Sequence, residues 1–263
     1  MGAEQSTPLL GVLRGWLPGS SNPATSGNPD DILENDEEAH VVYRVVRPAD
    51  TSSIIEAMAA AYFAGEPVTR AGGATLKDHK AFLEMFVPRM AKEGNSVAAF
   101  DTTTGCVLGA FLNEDFSNPA PSAFNGFLKS SDGEFRACMK MIEQLEDALV
   151  ERFEIPEDIP AKEWLHLFML GVVPDSQGKH ISSKLIKLSV KLAKAQGFKM
   201  AFAEATGDSS KVLLEKHGGA RCEHFIDYSV WEGPAANSIR KLPQEGAKGM
   251  GLMVIDLHRF HRV

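Results

Sequence analysis

The sequence predicts a single α/β (α+β) domain in which a mixed central sheet of about seven strands is flanked by helices. Three observations predict it. From Val41 onward, strand-like and helix-like patterns alternate along the chain. Residues 164–173 form a continuous apolar run, WLHLFMLGVV, of the kind carried by a central strand buried on both faces. Residues 181–196 follow almost at once as an amphipathic helix, with Ile181, Leu185, Leu188 and Leu192 along one face and Gly197 to end it.

The remaining elements are justified in order. Residues 41–47 read as a strand. Asp50 or Thr51 caps a helix through about Ala64, with Ile54, Ile55, Met58 and Tyr62 on one broad face. Thr75, with Asp78 three residues on, starts a second helix through about Lys92. Residues 96–100 and 107–112 read as strands joined by a turn at 102–105. Residues 116–132 read as a loop, and 133–153 as a helix with Phe135, Met139, Ile142, Leu145 and Leu149 at helical spacing. After the central strand and its helix come a strand at 199–205 and a short helix at 210–217 closed by Gly218 and Gly219. Strands at 221–231 and 251–257 complete the domain.

Composition narrows the function classes. A chain of 263 residues is ample to bury a core. No apolar run reaches the roughly 18 residues that span a bilayer, so a soluble protein is expected. Cys106, Cys138 and Cys222 are widely spaced, with neither metal-ligand spacing nor a disulfide framework; a reducing, cytoplasmic setting and no metal are expected. A net charge of −8 argues against a nucleic-acid partner. Residues 1–39 stand apart from the domain at 40–263. Residues 18–29 are rich in Pro, Gly, Ser and Asn, and an acidic cluster from Asp30 to Glu38 follows, so a flexible tail is expected.

The chemistry is concentrated in LGVVPDSQGKHISSKLI, residues 170–186. A buried strand ends at Pro174, and a turn containing Gln177, Gly178 and Lys179 opens directly into a helix. Such a helix start presents backbone N–H groups without intrahelical acceptors, and the helix dipole adds partial positive charge. The turn therefore suits a phosphate or pyrophosphate. Lys179, Lys184, Lys187, Lys191, Lys194 and Lys199 follow with no acidic residue between them, in a chain that is acidic overall. A solvated lysine face is the alternative on composition alone; the adjoining turn favours a polyanionic ligand.

This segment resembles the acyl-CoA motif of the GNAT superfamily of N-acetyltransferases: a strand ending in Val-x-Pro, then Gln/Arg-x-x-Gly-x-Gly/Ala, then a helix. Val172, Pro174 and Gln177 fit. The second position, Gly in the motif, is His180, and the third, Gly or Ala, is Ser182. Within the superfamily the chain is most similar to the arylalkylamine N-acetyltransferase-like group. YRVVRPAD at 43–50, AYFAGEPVT at 61–69, SVAAFDTTTGCVLGAFLNEDF at 96–116 and EATGDSSKVLLEKHGG at 204–219 carry that similarity.

The resemblance implies a GNAT-like domain that uses acetyl-CoA as cosubstrate, bound by Leu170, Gly171, Val172, Gln177, Gly178, Lys179, His180, Ile181 and Ser182. It implies direct acetyl transfer to a small-molecule amine, with Glu66 as general base. Thr206 and Ser210 take the positions of catalytic hydroxyls, because Leu214 stands where many members have an acidic Tyr. From the residues alone, Glu66 is equally an exposed helix-end acid, Thr206 or Asp208 a helix cap, and His166 a satisfied core histidine. The acceptor stays open between an arylalkylamine and another amine (polyamine, amino acid or protein lysine). So does a third reading, an acyl-CoA-binding module without turnover. Finally, MGAEQS fits the N-myristoylation pattern at Gly2, with Ser6 in place and an apolar stretch from Leu9 to Leu17 beside it. Lipidation there would add weak, reversible membrane attachment.

Overall fold

The computed structural model describes residues 31–130 and 133–258. The expectations at Gly2, at Leu9–Leu17 and for residues 18–29 lie outside them.

Eight strands form one mixed sheet: β1 (Ile32–Asp36), β2 (Val41–Val45), β3 (Val97–Asp101), β4 (Val107–Asp115), β5 (Trp164–Val172), β6 (Met200–Ala205), β7 (Arg221–Asp227) and β8 (Gly249–Asp256). The order is β1-β2-β3-β4-β5-β6-β8-β7, antiparallel throughout except for β5 against β6. The helices are α1 (Thr51–Gly65), α2 (Pro67–Gly72), α3 (Leu76–Glu93), α4 (Phe124–Ser130), α5 (Gly133–Phe153), α6 (Ile181–Ala195), α7 (Asp208–Leu213) and α8 (Ala236–Ile239).

Strand alternation sorts the core into two faces. On β2, Val42 points to the face covered by α1 and α3, among Ile54, Met58, Leu83 and Met90. Val41 and Tyr43 point to the opposite face, with Leu185 and Leu188 of α6. The α5 stripe of Met141, Leu145 and Leu149 packs on Trp164, Phe202 and Leu252, closing the other end of the sheet. Thr75 caps α3 as expected, accepting from Asp78 N at 3.3 Å.

Four elements differ from the sequence-based assignment, the first being the strand expected over 221–231, which ends at Asp227 and gives way to a 3-10 turn at Tyr228–Val230. Ile32–Asp36 is not tail but an edge strand on β2. It is fastened by Asp31 to Arg47 at 2.6 Å and by Glu34 to Lys184. Acidic composition hides it, because edge strands are held by pairing and side-chain ties rather than by apolar burial. The long loop contains α4, whose Phe124 and Phe127 pack on Phe82 at 6.1 and 5.9 Å between ring centroids. A separate short helix, α2, follows Glu66 and begins with Pro67, which tolerates the first helical position because the N–H it lacks is unpaired there anyway.

Candidate active site

β5 and β6 pair only through Trp164–Met200, Leu165–Ala201 and His166–Phe202. Beyond His166 they part. β5 continues along β4 to Gly109↔Val172, and β6 continues along β8 to Ala205↔Gly251. A cavity of about 990 Å³ opens along this divergence. Leu170, Gly171 and Val172 line it from β5, and Glu204 and Thr206 line it from the β6 side.

The turn sits at its mouth. After Pro174–Ser176, Gly178 adopts φ +79° and His180 φ +59°, both left-handed. His180 O accepts from Lys184 N at 3.2 Å, so α6 starts at Ile181. The first-turn N–H groups of Ile181, Ser182 and Ser183 then have no intrahelical acceptor. Gln177, Gly178, His180, Ile181 and Ser182 line the cavity, while Lys179 is exposed beside it. The lysine face is partly neutralised: Lys184 pairs with Glu34, and Lys199 with Glu163 at 2.6 Å. Lys187 and Lys191 are exposed. His217 is held below its ordinary value, first by burial and then by Lys187, Lys216 and His180.

Glu66 stands at the junction of α1 and α2. It is buried rather than an exposed helix-end acid. Its Oε1 accepts from Val68 N at 3.1 Å, and its Oε2 from Thr69 N at 2.6 Å and Thr69 Oγ1 at 2.5 Å. A carboxylate has roughly four lone-pair sites, so this anchorage leaves it an acceptor for a further partner. Burial and then the Glu66 charge push the hydroxyls of Tyr62 and Tyr228 upward, so both are neutral donors. Tyr228 donates to Thr206 O at 2.8 Å. The Cys138 thiol is raised by burial first and by Glu66 next, which makes it a core residue rather than a nucleophile. Glu66, Thr206 and Ser210 all line the one cavity. Gly207, not Thr206 or Asp208, takes the cap position of α7. Ser210 Oγ donates to Gly207 O at 2.8 Å. Leu214 is buried in the core beneath α6.

A buried polar cluster marks the point where β5 and β6 part. His166 stacks flat on Phe202, 4.5 Å between centroids. Its Nε2 donates to Glu204 Oε2 at 2.8 Å, and its Nδ1 lies 3.6 Å from Glu114 Oε1. Glu114 is in turn held by Arg89. Burial opposes charge on His166, but Glu204 and Glu114 outweigh it and raise the imidazole to about 10. Burial, then Glu204, raises Glu146 to about 7. One ligand atom from each of Glu146, His166 and Glu204 lies within 4.8 Å of the others. That donor set fits a divalent cation by type, and such a cation would compete with the proton on His166. The cluster also borders a second cavity of about 1290 Å³, walled by Phe116, Phe124, Phe168 and Trp231.

The structure thus brings the turn, Glu66, Thr206 and Ser210 to one cavity, and makes His166 a hydrogen-bonded core residue. Glu114, Glu146, Glu204, Thr69 and His79 were not foreseen. Glu204 heads the family-like stretch 204–219, and its signal as a buried group is a lone charge inside an apolar strand, MAFAEA.

No protein-family model matches the chain, and no curated protein matches it. Solved structures do. The chain is similar to arylalkylamine N-acetyltransferase 2 from Aedes aegypti, with TM-score 0.63 and 18% identity over 82% of this chain and 99% of that one. It is similar to a Drosophila melanogaster polyamine N-acetyltransferase that forms N-acetylagmatine, with TM-score 0.62 and 19% identity over 82% and 99%. It is also similar to the C-terminal condensation domain of Ebony, in complex with beta-alanyl-dopamine, with TM-score 0.65 and 14% identity over 82% and 98%. The fold is therefore that of the GNAT acetyltransferases.

Proposed function

We propose that the chain is an acetyl-CoA-dependent N-acetyltransferase that acylates a primary amine, with a small arylalkylamine as the preferred acceptor. One observation carries this reading: the cavity between the parted strands runs from an anion-suited helix start to a buried, anchored carboxylate. In this reading the pyrophosphate of the cofactor lies on the N–H groups of residues 178–182, and its pantetheine arm runs along Leu170–Val172. Tyr62, Phe82, Phe135 and Phe168 wall the inner end, as suits an aromatic acceptor.

Glu66, directly or through water, takes a proton from the ammonium so that the free amine attacks the thioester carbon. The C–N bond forms, the C–S bond breaks, and the thiolate takes up a proton. Thr206 and Ser210 supply hydroxyls at that end of the cavity. The polar cluster gives a specific reason to keep a second acceptor in view, because Glu204 adds a buried carboxylate that a polyamine or guanidinium amine would meet. His180 in a left-handed position keeps the third reading, acyl-CoA binding without turnover.

Purified protein, acetyl-CoA and a panel of arylethylamines, polyamines and amino acids, with release of free thiol as readout, test the proposal. Glu66→Ala is expected to lower turnover by on the order of 10² or more, far more than it weakens cofactor binding, and the loss shrinks at high pH where the amine is already free. Cofactor binding with no amine turned over would leave the binding-module reading. Acylation at Gly2 is a separate part of the proposal. The intact mass of protein from its native cell, against a Gly2→Ala control, decides it.

A further inference from the structure

Behind Glu66 runs a chain of buried groups whose hydrogens can be counted. Thr69 Oγ1 lies 2.5 Å from Glu66 Oε2 and 3.1 Å from His79 Nε2. His79 Nδ1 lies 2.8 Å from Thr75 O. Thr69 and His79 are both buried, and both line the cavity. A carbonyl oxygen only accepts, so His79 Nδ1 carries a hydrogen. The Thr69 hydroxyl has one hydrogen to give. If it goes to Glu66, a bond to His79 requires Nε2–H, and the ring is an imidazolium facing a carboxylate. If it goes to His79, a bond to Glu66 requires a protonated carboxyl. The two arrangements differ by moving two hydrogens one place each, with no heavy atom displaced. Backbone donors from Val68 and Thr69 hold the carboxylate in either case.

We propose that Glu66, Thr69 and His79 form a proton relay in which His79 stores the proton that Glu66 removes from the acceptor amine. The proposal rests on Glu66 being the base. The Thr69 hydroxyl first turns from Glu66 to His79 Nε2, which frees a lone pair on Glu66 Oε2, and the amine N–H bond then breaks as a bond from hydrogen to that oxygen forms. That proton passes to Thr69 Oγ1 while the Thr69 hydrogen passes to His79 Nε2. Glu66 is again a carboxylate, and the charge sits on His79. The edges and faces of Tyr62, Phe63 and Phe135, with centroids at 6.4, 6.5 and 5.5 Å, surround it. After the products leave, the proton returns by the same path to water. The groups facing the relay are Tyr62 of α1, Cys138 of α5 and Tyr228, which all feel the Glu66 charge, and Asp78 on the same helix as His79, whose carboxyl is bound by Thr75.

The test has two arms. In steady state, Thr69→Val is expected to lower kcat about tenfold, a share of the 10²–10⁴ available to acid–base catalysis. The KM for acetyl-CoA stays the same, and the acid limb of the kcat/KM profile moves. Thr69→Ser restores both rate and limb, and adding His79→Gln to Thr69→Val costs nothing further. A folded Thr69→Val enzyme with the wild-type rate and pH profile overturns the relay, leaving Thr69 as an anchor of the Glu66 carboxylate. The second arm is ¹⁵N NMR of the His79 ring without substrate. Nδ1 should be protonated throughout, and the titration of Nε2 should move in Glu66→Gln. An unprotonated Nδ1, or a titration indifferent to Glu66, also overturns it. If no amine is acetylated, the enzymatic reading fails, and the NMR arm still decides whether the chain couples the two residues.

Discussion

The two ends of β5 hold opposite kinds of site. At its C-terminal end a contiguous stretch, residues 170–182, presents backbone groups at an open helix start. At the point where it leaves β6, four side chains from β4, β5, β6 and α5 meet in a buried charged knot: Glu114, His166, Glu204 and Glu146. The first depends on conformation and tolerates many side chains, because any non-proline residue supplies an N–H. The second depends on side-chain identity, because each buried charge needs its partner. Substitutions should therefore act on binding at one end and on stability at the other.

The knot should show the larger effect. In His166→Phe, Glu204 and Glu114 lose their shared donor in a buried setting, and a loss of about 3–5 kcal/mol is expected. The sign with pH is fixed. His166 is raised to about 10, so its stabilisation is full below the ordinary histidine value and is lost as pH rises through about 10. Glu146, raised to about 7, is common to both proteins: each gives up stability as pH rises from the ordinary carboxylate range through about 7, so the difference between them above neutral pH reports His166. Urea midpoints of wild type and variant at pH 6, 8 and 10 should therefore converge as pH rises. A deficit as large at pH 10 as at pH 6 would mean that lost packing on Phe202, not charge, explains it.

The same contrast explains what was legible in the sequence. The turn could be seen because its logic is local: strand, Pro174, Gly178, helix. The capping of α3 by Thr75 and the apolar run of β5 were visible for the same reason. Glu66 was visible only through its Glu-Pro context, and its burial was not, because Val68 and Thr69 give it donors only once α2 has formed. Glu114, Glu146 and Glu204 are separated by up to ninety positions in the chain. No spacing rule joins them; the register of β4 against β5, pairing Glu114 with His166, does. β1 was hidden by its acidity, which Lys184 and Arg47 offset from elsewhere in the chain.

At the turn the expected effect is intermediate. Gly178→Pro removes an N–H and cannot adopt φ +79°. Acetyl-CoA affinity should fall by about tenfold or more, which is about 1.4 kcal/mol, while the far-UV spectrum and the pH dependence of the knot stay as in wild type. Titration calorimetry checks it. Unchanged affinity in the folded variant places the cofactor elsewhere.

The smallest effect should come from His180, and it separates conformation from side chain most cleanly. The residue holds φ +59°, where an L side chain costs about 1–2 kcal/mol. Glycine removes that cost but adds backbone entropy to the unfolded chain, about 0.5–1 kcal/mol. His180→Gly should therefore be stabilised by up to about 1 kcal/mol, a rise in Tm of about 2–4 °C for a chain of this size. His180→Ala keeps the Cβ and so keeps the strain; its Tm should stay near wild type. If backbone strain is the whole story, only the glycine variant moves. Cofactor affinity gives the other half. If the imidazole crowds the pyrophosphate, both variants bind acetyl-CoA more tightly. If it contributes positive charge, both bind more weakly, and the difference shrinks as salt rises, because an exposed charge is screened over about 8–10 Å at 0.1–0.15 M. Equal Tm shifts in Gly and Ala would show that the turn is not strained at this residue, and its likeness to a glycine-requiring motif would lose its physical basis.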